Sequence, residues 1–166
     1  MDLRNSLKFV QVFALGAWVG SIFYFSAAVA PGAFRVLGNP DQAGALVGFT
    51  LARLHLMGVI AGALFLVAGL GLTKAAKDLL RPELIGVVLM LAMTVFSQEY
   101  VIRRMETLRL QMGPVATAPF SEPRRREFDR LHGLSVELEG GVMLIGLAAL
   151  FLTVRWHGKE ATLRET

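Results

Sequence analysis

Histidines and carboxylates stand where the long apolar runs of this chain begin or end. His132 and Glu139 precede one apolar run, His55 opens another, and Glu99 interrupts a third near its end. An imidazole or carboxylate near lipid must be paired, neutralised or hydrated, so such residues are candidates for a functional site. Together they can bind a cation, hold a haem between histidines, or relay protons. The chemistry of the chain is therefore expected at the ends of its apolar segments.

The composition is typical of a membrane protein. Of the 166 residues, 54% are hydrophobic and only 18% are charged, and the mean hydropathy is +0.55. The absence of cysteine excludes disulfides, thiolate metal sites and cysteine nucleophiles. The net charge of +4 comes from basic residues beside apolar runs, so lipid headgroups are expected as neighbours rather than nucleic acid. No phosphate-binding loop, nucleophile elbow or HExxH motif is present, and we expect no enzymatic activity.

Four apolar segments are each long enough to cross a hydrocarbon core of about 30 Å. The predicted spans are 9–29, 51–73, 83–103 and 132–154. The segment 31–35 is expected to mark the exit of the first span, whereas Asn39, Pro40 and Pro82 supply start signals for the second and third helices. We predict an all-α fold, an integral membrane four-helix bundle with residues 1–166 as a single domain. A long, partly helical loop is expected between helices three and four.

Glycine spacing predicts close packing between the first two helices. Gly16 and Gly20 stand four residues apart on helix one, and Gly58 and Gly62 do the same on helix two. Small residues at this spacing let the backbones of membrane helices approach each other. Helices one and two are therefore expected to be neighbours.

The order of the spans places most ionisable residues on one side of the membrane. In an up-down bundle, the ends of helices one and three share a face with the starts of helices two and four. At about 100° per residue, His132, Ser135 and Glu139 also share one face of helix four. The predicted polar or ligand-binding cluster comprises Arg53, His55, Glu99, His132, Ser135 and Glu139.

Other charged residues at the same helix ends are expected to face outward. Glu137 points away from the face that carries Glu139. Arg103 and Arg104 close the third span, and long arginine side chains reach the membrane interface readily. We therefore expect Arg103, Arg104 and Glu137 to contact lipid headgroups or a partner protein.

The start of the last span carries a recognisable motif. The run from Phe128 to Ser135 resembles the Phe-x-x-x-His-Gly-Leu-Ser signature of the transmembrane protein 205-like family. Bacterial members of that family carry a domain of unknown function numbered 4149. Further similarity lies at 30–37, 54–56 and 100–104, and the resemblance extends from about residue 9 to residue 154. It implies four membrane spans and leaves the biochemical activity open.

Two carboxylates depart from the pattern of that family. Its members commonly have asparagine at the position of Glu139 and an apolar residue at the position of Glu137. The resemblance therefore implies that any property peculiar to this chain involves these two residues.

Three functions remain open from the sequence. The first is a non-enzymatic accessory subunit or small-ligand binder whose polar His/Glu/Arg cluster lies at one membrane face. The second is a haem-binding or metal-binding protein that uses His55 and His132, with Glu139 as a further candidate metal ligand. The third is an oligomeric transporter of ions or amphiphiles.

The surroundings of the protein follow from the same features. We expect a lipid bilayer, with a larger membrane protein complex or a homo-oligomer as partner. Basic residues are almost equally divided between the two faces, but the N-terminal flank with Arg4 and Lys8 favours cytoplasmic termini. The predicted location is a bacterial inner membrane.

Overall fold

Four long helices form the architecture of the protein, as the sequence predicts. The computed structural model describes residues 2–73 and 75–165, without the side chains of residues 76, 77 and 159–165. The helices are α1 (Leu3–Val36), α2 (Pro40–Leu72), α3 (Pro82–Met112) and α4 (Pro123–Glu165). Each of them is long and apolar enough to cross a membrane. The predicted all-α membrane fold is confirmed.

The helices form an up-down bundle. Each helix packs against its neighbours in sequence, and α1 also packs against α4 to close the ring. Short connections make successive helices run in opposite directions. We call the end with the 36–40 and 112–123 connections the loop face, and the end with both chain termini the termini face. All four helices continue beyond the predicted spans.

Local sequence determines where the helices begin. The side chain of Asn39 accepts hydrogen bonds from the backbone N–H groups of Asp41 and Gln42, at 2.9 and 3.3 Å. It therefore caps the first turn of α2. A proline, whose missing N–H is not needed at this position, opens each of the last three helices. These residues are Pro40, Pro82 and Pro123.

The first helix continues through Pro31. The turn before it widens into a π-helix at Phe25–Val29, where the backbone N–H of Ala30 bonds to the carbonyl of Phe25. A wider turn makes room for the proline ring, which would otherwise clash with the preceding turn. The helix therefore continues to Val36.

A second π-helical segment interrupts α3 at Ser97–Ile102. Such a turn contains an extra residue, so it shifts the angular position of every side chain that follows. The segment lies where α3 meets α2 and α4 near the loop face. Its side chains are described with the candidate site.

The middle of the bundle is a buried apolar layer. Trp18, Phe65, Val87 and Met90 are each no more than 1% exposed. The indole ring of Trp18 lies directly against Gly58 of α2, because a Cβ added there would be 2.3 Å from Nε1 of the tryptophan. The two predicted neighbours therefore do pack together, through a tryptophan that fills the space left by a glycine.

The two glycines of α1 have a different role from the predicted one. An added Cβ at Gly16 or Gly20 would have no atom within 4 Å. Of the four predicted glycines, Gly58 and Gly62 of α2 are therefore the two that lie against α1. The glycine pair of α1 faces away from its neighbours.

The predicted loop between helices three and four is mostly helix. The ends of α3 and α4 extend beyond the apolar layer and enclose a second small core, formed by Val101, Leu108, Phe128 and Leu131. Arg104 of α3 forms a two-pronged pair with Glu127 of α4, at 2.7 and 3.2 Å. The carboxylate of Asp41 accepts a hydrogen bond from the backbone N–H of Val115 at 2.8 Å. These contacts attach the short 113–122 connection to the bundle.

Replacement of Gly58 by alanine is expected to destabilise the bundle. The new Cβ would overlap the rigid ring of Trp18, and displacement of that ring costs roughly 1–3 kcal/mol. Gly16→Ala is the matched control, since its Cβ enters open space and alanine favours helix. The measurement is the melting temperature of both purified variants in one detergent. Equal melting temperatures would contradict the described packing of α1 on α2.

Candidate functional site

His55 is the centre of a buried network that joins three helices. Its Nε2 lies 2.5 Å from Oε1 of Glu139 on α4, and its Nδ1 lies 2.8 Å from Oε1 of Gln98 on α3. The residue is 3% exposed, and Glu139 is 8% exposed. Polar groups enclosed in this way are stable only when hydrogen-bonded. The three side chains therefore satisfy one another where α2, α3 and α4 meet.

Helical periodicity brings His55 to the inner face of α2. Leu51, Leu54, His55 and Gly58 are buried at the spacing of one helix face. On α4, the same periodicity buries Glu139 while the intervening positions face outward. The network thus forms where the inward faces of two regular helices oppose each other.

The wide turn of α3 supplies the third member of the network. Gln98 lies inside the π-helical segment, between buried Ser97 and exposed Glu99. Its side-chain oxygen reaches His55, whereas the carboxylate of Glu99 pairs outward with Arg103 at 2.9 Å. The sequence analysis predicted Glu99 for the cluster and overlooked Gln98. The available signal was a polar amide at the end of an apolar run, one residue before the predicted carboxylate.

The imidazole of His55 has an oxygen against each of its ring nitrogens. Nε2 faces the carboxyl group of Glu139, and Nδ1 faces the amide oxygen of Gln98. Both contacts are within hydrogen-bond distance. The ring is therefore held between α3 and α4 at both nitrogens.

The network lies at one edge of the apolar band. Along α3, Arg81 and Glu99 are about 27 Å apart at a rise of about 1.5 Å per residue, close to the thickness of a hydrocarbon core. His55 is in contact with the residue that precedes Glu99. It therefore lies near the boundary between lipid chains and headgroups on the loop face.

An open cleft of about 250 Å³ borders the network between α2 and α3. Its apolar walls face the side of the bundle that a bilayer would cover. They are formed by Ala52, Leu56, Val59 and Val95. The polar side chains at the cleft are those of His55, Thr94, Gln98 and Glu99.

Other predicted members of the cluster lie apart from His55. Arg53 is exposed, and its guanidinium lies 5.1 Å from the centre of the Phe49 ring. His132 is also exposed, two helical turns or about 10 Å from Glu139 along α4. Ser135, midway between the two, is buried. Of the six predicted residues, His55 and Glu139 are the pair in direct contact.

The positions of the two histidines do not suit a shared haem or metal ion. His55 uses both ring nitrogens inside the bundle, whereas His132 faces outward. Among the side chains that the structure describes, no group of three or more histidines, aspartates or glutamates is arranged to hold a metal ion. The geometry therefore does not assemble His55, His132 and Glu139 into a ligand set.

The residues predicted to face lipid or a partner are exposed. Arg103 and Glu137 both lie on the surface of the bundle. Arg104 is also exposed, and its partner is Glu127 of the same chain. Glu137 is therefore a carboxylate of α4 that is directed toward the surroundings.

A second polar network lies at the termini face and was not predicted. Gln11 is 1% exposed, and its amide nitrogen donates to the carbonyl of Phe65 at 3.4 Å. Its amide oxygen lies 3.0 Å from Nε2 of His157. A single glutamine inside a long uncharged run was the signal for this contact. The network ties α1 to α2 and α4.

Arg81 belongs to the same region of the bundle. Its Nε lies 3.4 Å from Oε1 of the buried Glu83, and its guanidinium lies 3.9 Å from the centre of the Trp156 ring. The side chain thus combines an ion pair with a cation–π contact. It fastens the start of α3 to the end of α4.

Comparison with known proteins gives one match. A protein-family model described as Domain of unknown function (DUF4149) matches residues 13–114. No curated protein matches the chain, and no solved structure matches it. The matched segment includes His55 and Gln98 but ends before Glu139 and the 128–135 motif.

The His55–Glu139 contact is expected to show strong energetic coupling. His55→Ala and Glu139→Ala should each lower the free energy of unfolding by roughly 3–5 kcal/mol, because each leaves its buried partner unpaired. The double variant should lose much less than the sum. Glu137→Ala, two residues away on the exposed side, is the control and should have little effect. Denaturant titration in mild detergent measures all four values, and additive losses would contradict the contact.

Proposed function

The chain belongs to the family of the domain of unknown function DUF4149, and we propose that it is a non-enzymatic membrane protein that binds a small amphiphile beside His55. One observation carries this proposal. Hydrogen-bonded side chains from α3 and α2 stand at the floor of a cleft whose apolar walls face the bilayer. Sites for small molecules generally combine apolar walls with a few oriented polar groups.

The charges around the cleft favour an uncharged head group. Glu139 is already paired with His55, and the carboxylate of Glu99 is paired with Arg103. An ionic head group would therefore lose hydration without gaining a counter-ion. A molecule with a neutral polar head and an apolar tail matches both parts of the cleft, and it can enter directly from the lipid.

The closed interior of the bundle favours ligand binding over ion transport as the function. The layer that contains Trp18, Phe65, Val87 and Met90 is closed and apolar between the two polar networks. An ion that crossed a single bundle would meet no polar partner there. The proposed ligand therefore stays on the loop-face side of that layer.

A role as an accessory subunit is the second candidate, because two surfaces are suited to a partner helix. Added Cβ atoms at Gly16 and Gly20 would meet open space, as they would at Gly133 and Gly140 on either side of the exposed Glu137. Open glycines let another membrane helix approach closely. Under this proposal, Gly20→Leu reduces the size of the complex seen after mild-detergent extraction, while the internal Gly58 contact is unaffected.

The finer identity and location of the chain are also part of the proposal. The 128–135 motif supports kinship with the transmembrane protein 205-like proteins. The basic N-terminal flank supports termini in the cytoplasm, and the loop face then lies on the opposite side of a bacterial inner membrane. The amphiphile site would accordingly belong to the outer leaflet.

Amphiphile binding predicts that a photoreactive lipid analogue labels the cleft. The probe is a long-chain ketone with a diazirine near its carbonyl group, supplied in phosphatidylcholine vesicles. Labelling is expected on Leu56, Val59 and Val95, and Val95→Trp should lower it severalfold by filling the cleft. The control is Val67→Trp, because Val67 is exposed on α2 and does not line the cleft. Uniform labelling along α2, unaffected by Val95→Trp, would contradict the proposal.

Cysteine labelling tests the proposed orientation without background, because the chain has no native cysteine. Thr117→Cys on the loop face should react with a membrane-impermeant maleimide in intact cells. Asn5→Cys, near the N-terminus, should react only after the membrane is opened. The reverse pattern would place the termini outside the cytoplasm.

A further inference from the structure

We infer that the cleft selects amphiphiles whose head group accepts a hydrogen bond, such as a ketone or an ester, and that Gln98 recognises this group. The inference rests on the proposed function, since it concerns the ligand of the same cleft. It assigns to Gln98 a specificity that neither its family nor its position in sequence suggests.

The orientation of the Gln98 side chain is fixed from inside the bundle. Its oxygen faces Nδ1 of His55, and the opposite nitrogen of that ring is held by Glu139. An amide that directs its oxygen to one partner must direct its NH₂ group elsewhere. Within the described part of the chain, this NH₂ group has no hydrogen-bond partner, and Gln98 lines the cleft. The NH₂ group of Gln98 is therefore available as a hydrogen-bond donor at the cleft.

The side chains next to Gln98 suit a ligand whose head group has one hydrogen-bond acceptor. Thr94 lies one turn before Gln98 on α3 and lines the same cleft, so its hydroxyl is a second group within reach of a head group. The other walls are hydrocarbon. A carbonyl oxygen would satisfy the amide NH₂ of Gln98 and leave the tail against Leu56 and Val95. A head group with donors alone would leave that NH₂ group without a partner.

The test compares three diazirine probes that share one alkyl chain. One has a ketone, one has an ammonium group, and one has no polar head. The ketone should label the cleft about 2–10-fold more than the headless probe, as expected for one hydrogen bond.

Substitution of Gln98 supplies the decisive comparison. Gln98→Glu keeps an oxygen for His55 and presents a second oxygen to the cleft, so the order of the ketone and ammonium probes should reverse. Gln111→Leu, which alters an exposed glutamine outside the bundle core, is the control and should leave the order unchanged. A Gln98→Glu variant that keeps the wild-type order would overturn the inference.

The remaining outcomes separate the inference from the proposed function. If all three probes label the cleft equally and Val95→Trp still blocks them, amphiphile binding stands and selectivity by Gln98 is wrong. If no probe labels the cleft above the level found around Val67, both the proposed function and the inference are wrong.

Discussion

The requirement that a buried ionisable group be paired governs the loop-face half of this protein. His55 and Glu139 are enclosed near the edge of the apolar band, where separate charges would be costly. Their 2.5 Å contact pairs the two side chains, and the bond to Gln98 gives the other ring nitrogen of His55 a partner. α2, α3 and α4 must therefore meet at this level. The position of the cleft and the orientation of Gln98 both depend on that pairing.

The rest of the bundle positions α2, α3 and α4 so that they are in contact at His55. Trp18 of α1 lies against Gly58 of α2, so these two helices are close together. Their contact closes the apolar layer next to the network. The π-helical segment of α3 shifts the phase of that helix and directs Gln98 to His55 while Glu99 faces outward. At the termini face, Arg81 with Glu83 and Trp156 fastens the other ends of α3 and α4. Two polar networks therefore flank a buried apolar core.

Span order and helical periodicity were sufficient to predict the fold and part of the site. Four apolar segments and their proline signals predicted the four helices. An up-down order of these helices predicted that His55 lies near Glu139. The inward direction of Gln98 was not predictable, because a period of 100° per residue fails across a wide turn. The contacts of Gln11 and Arg81 join residues far apart in sequence, and their register depends on side-chain packing that periodicity does not describe.

Nitrogen NMR of the three histidines tests the paired state of His55 most directly. The chain is labelled with ¹⁵N-histidine in lipid bilayers, and His55→Gln assigns the resonances by the loss of one set. Both ring nitrogens of His55 should show shifts of hydrogen-bonded sites, distinct from exposed His132, and Glu139→Gln should shift Nε2 most strongly. If the His55 signals instead resemble those of a solvated imidazole and do not respond to Glu139→Gln, the buried pair does not exist and the account of the cleft fails with it.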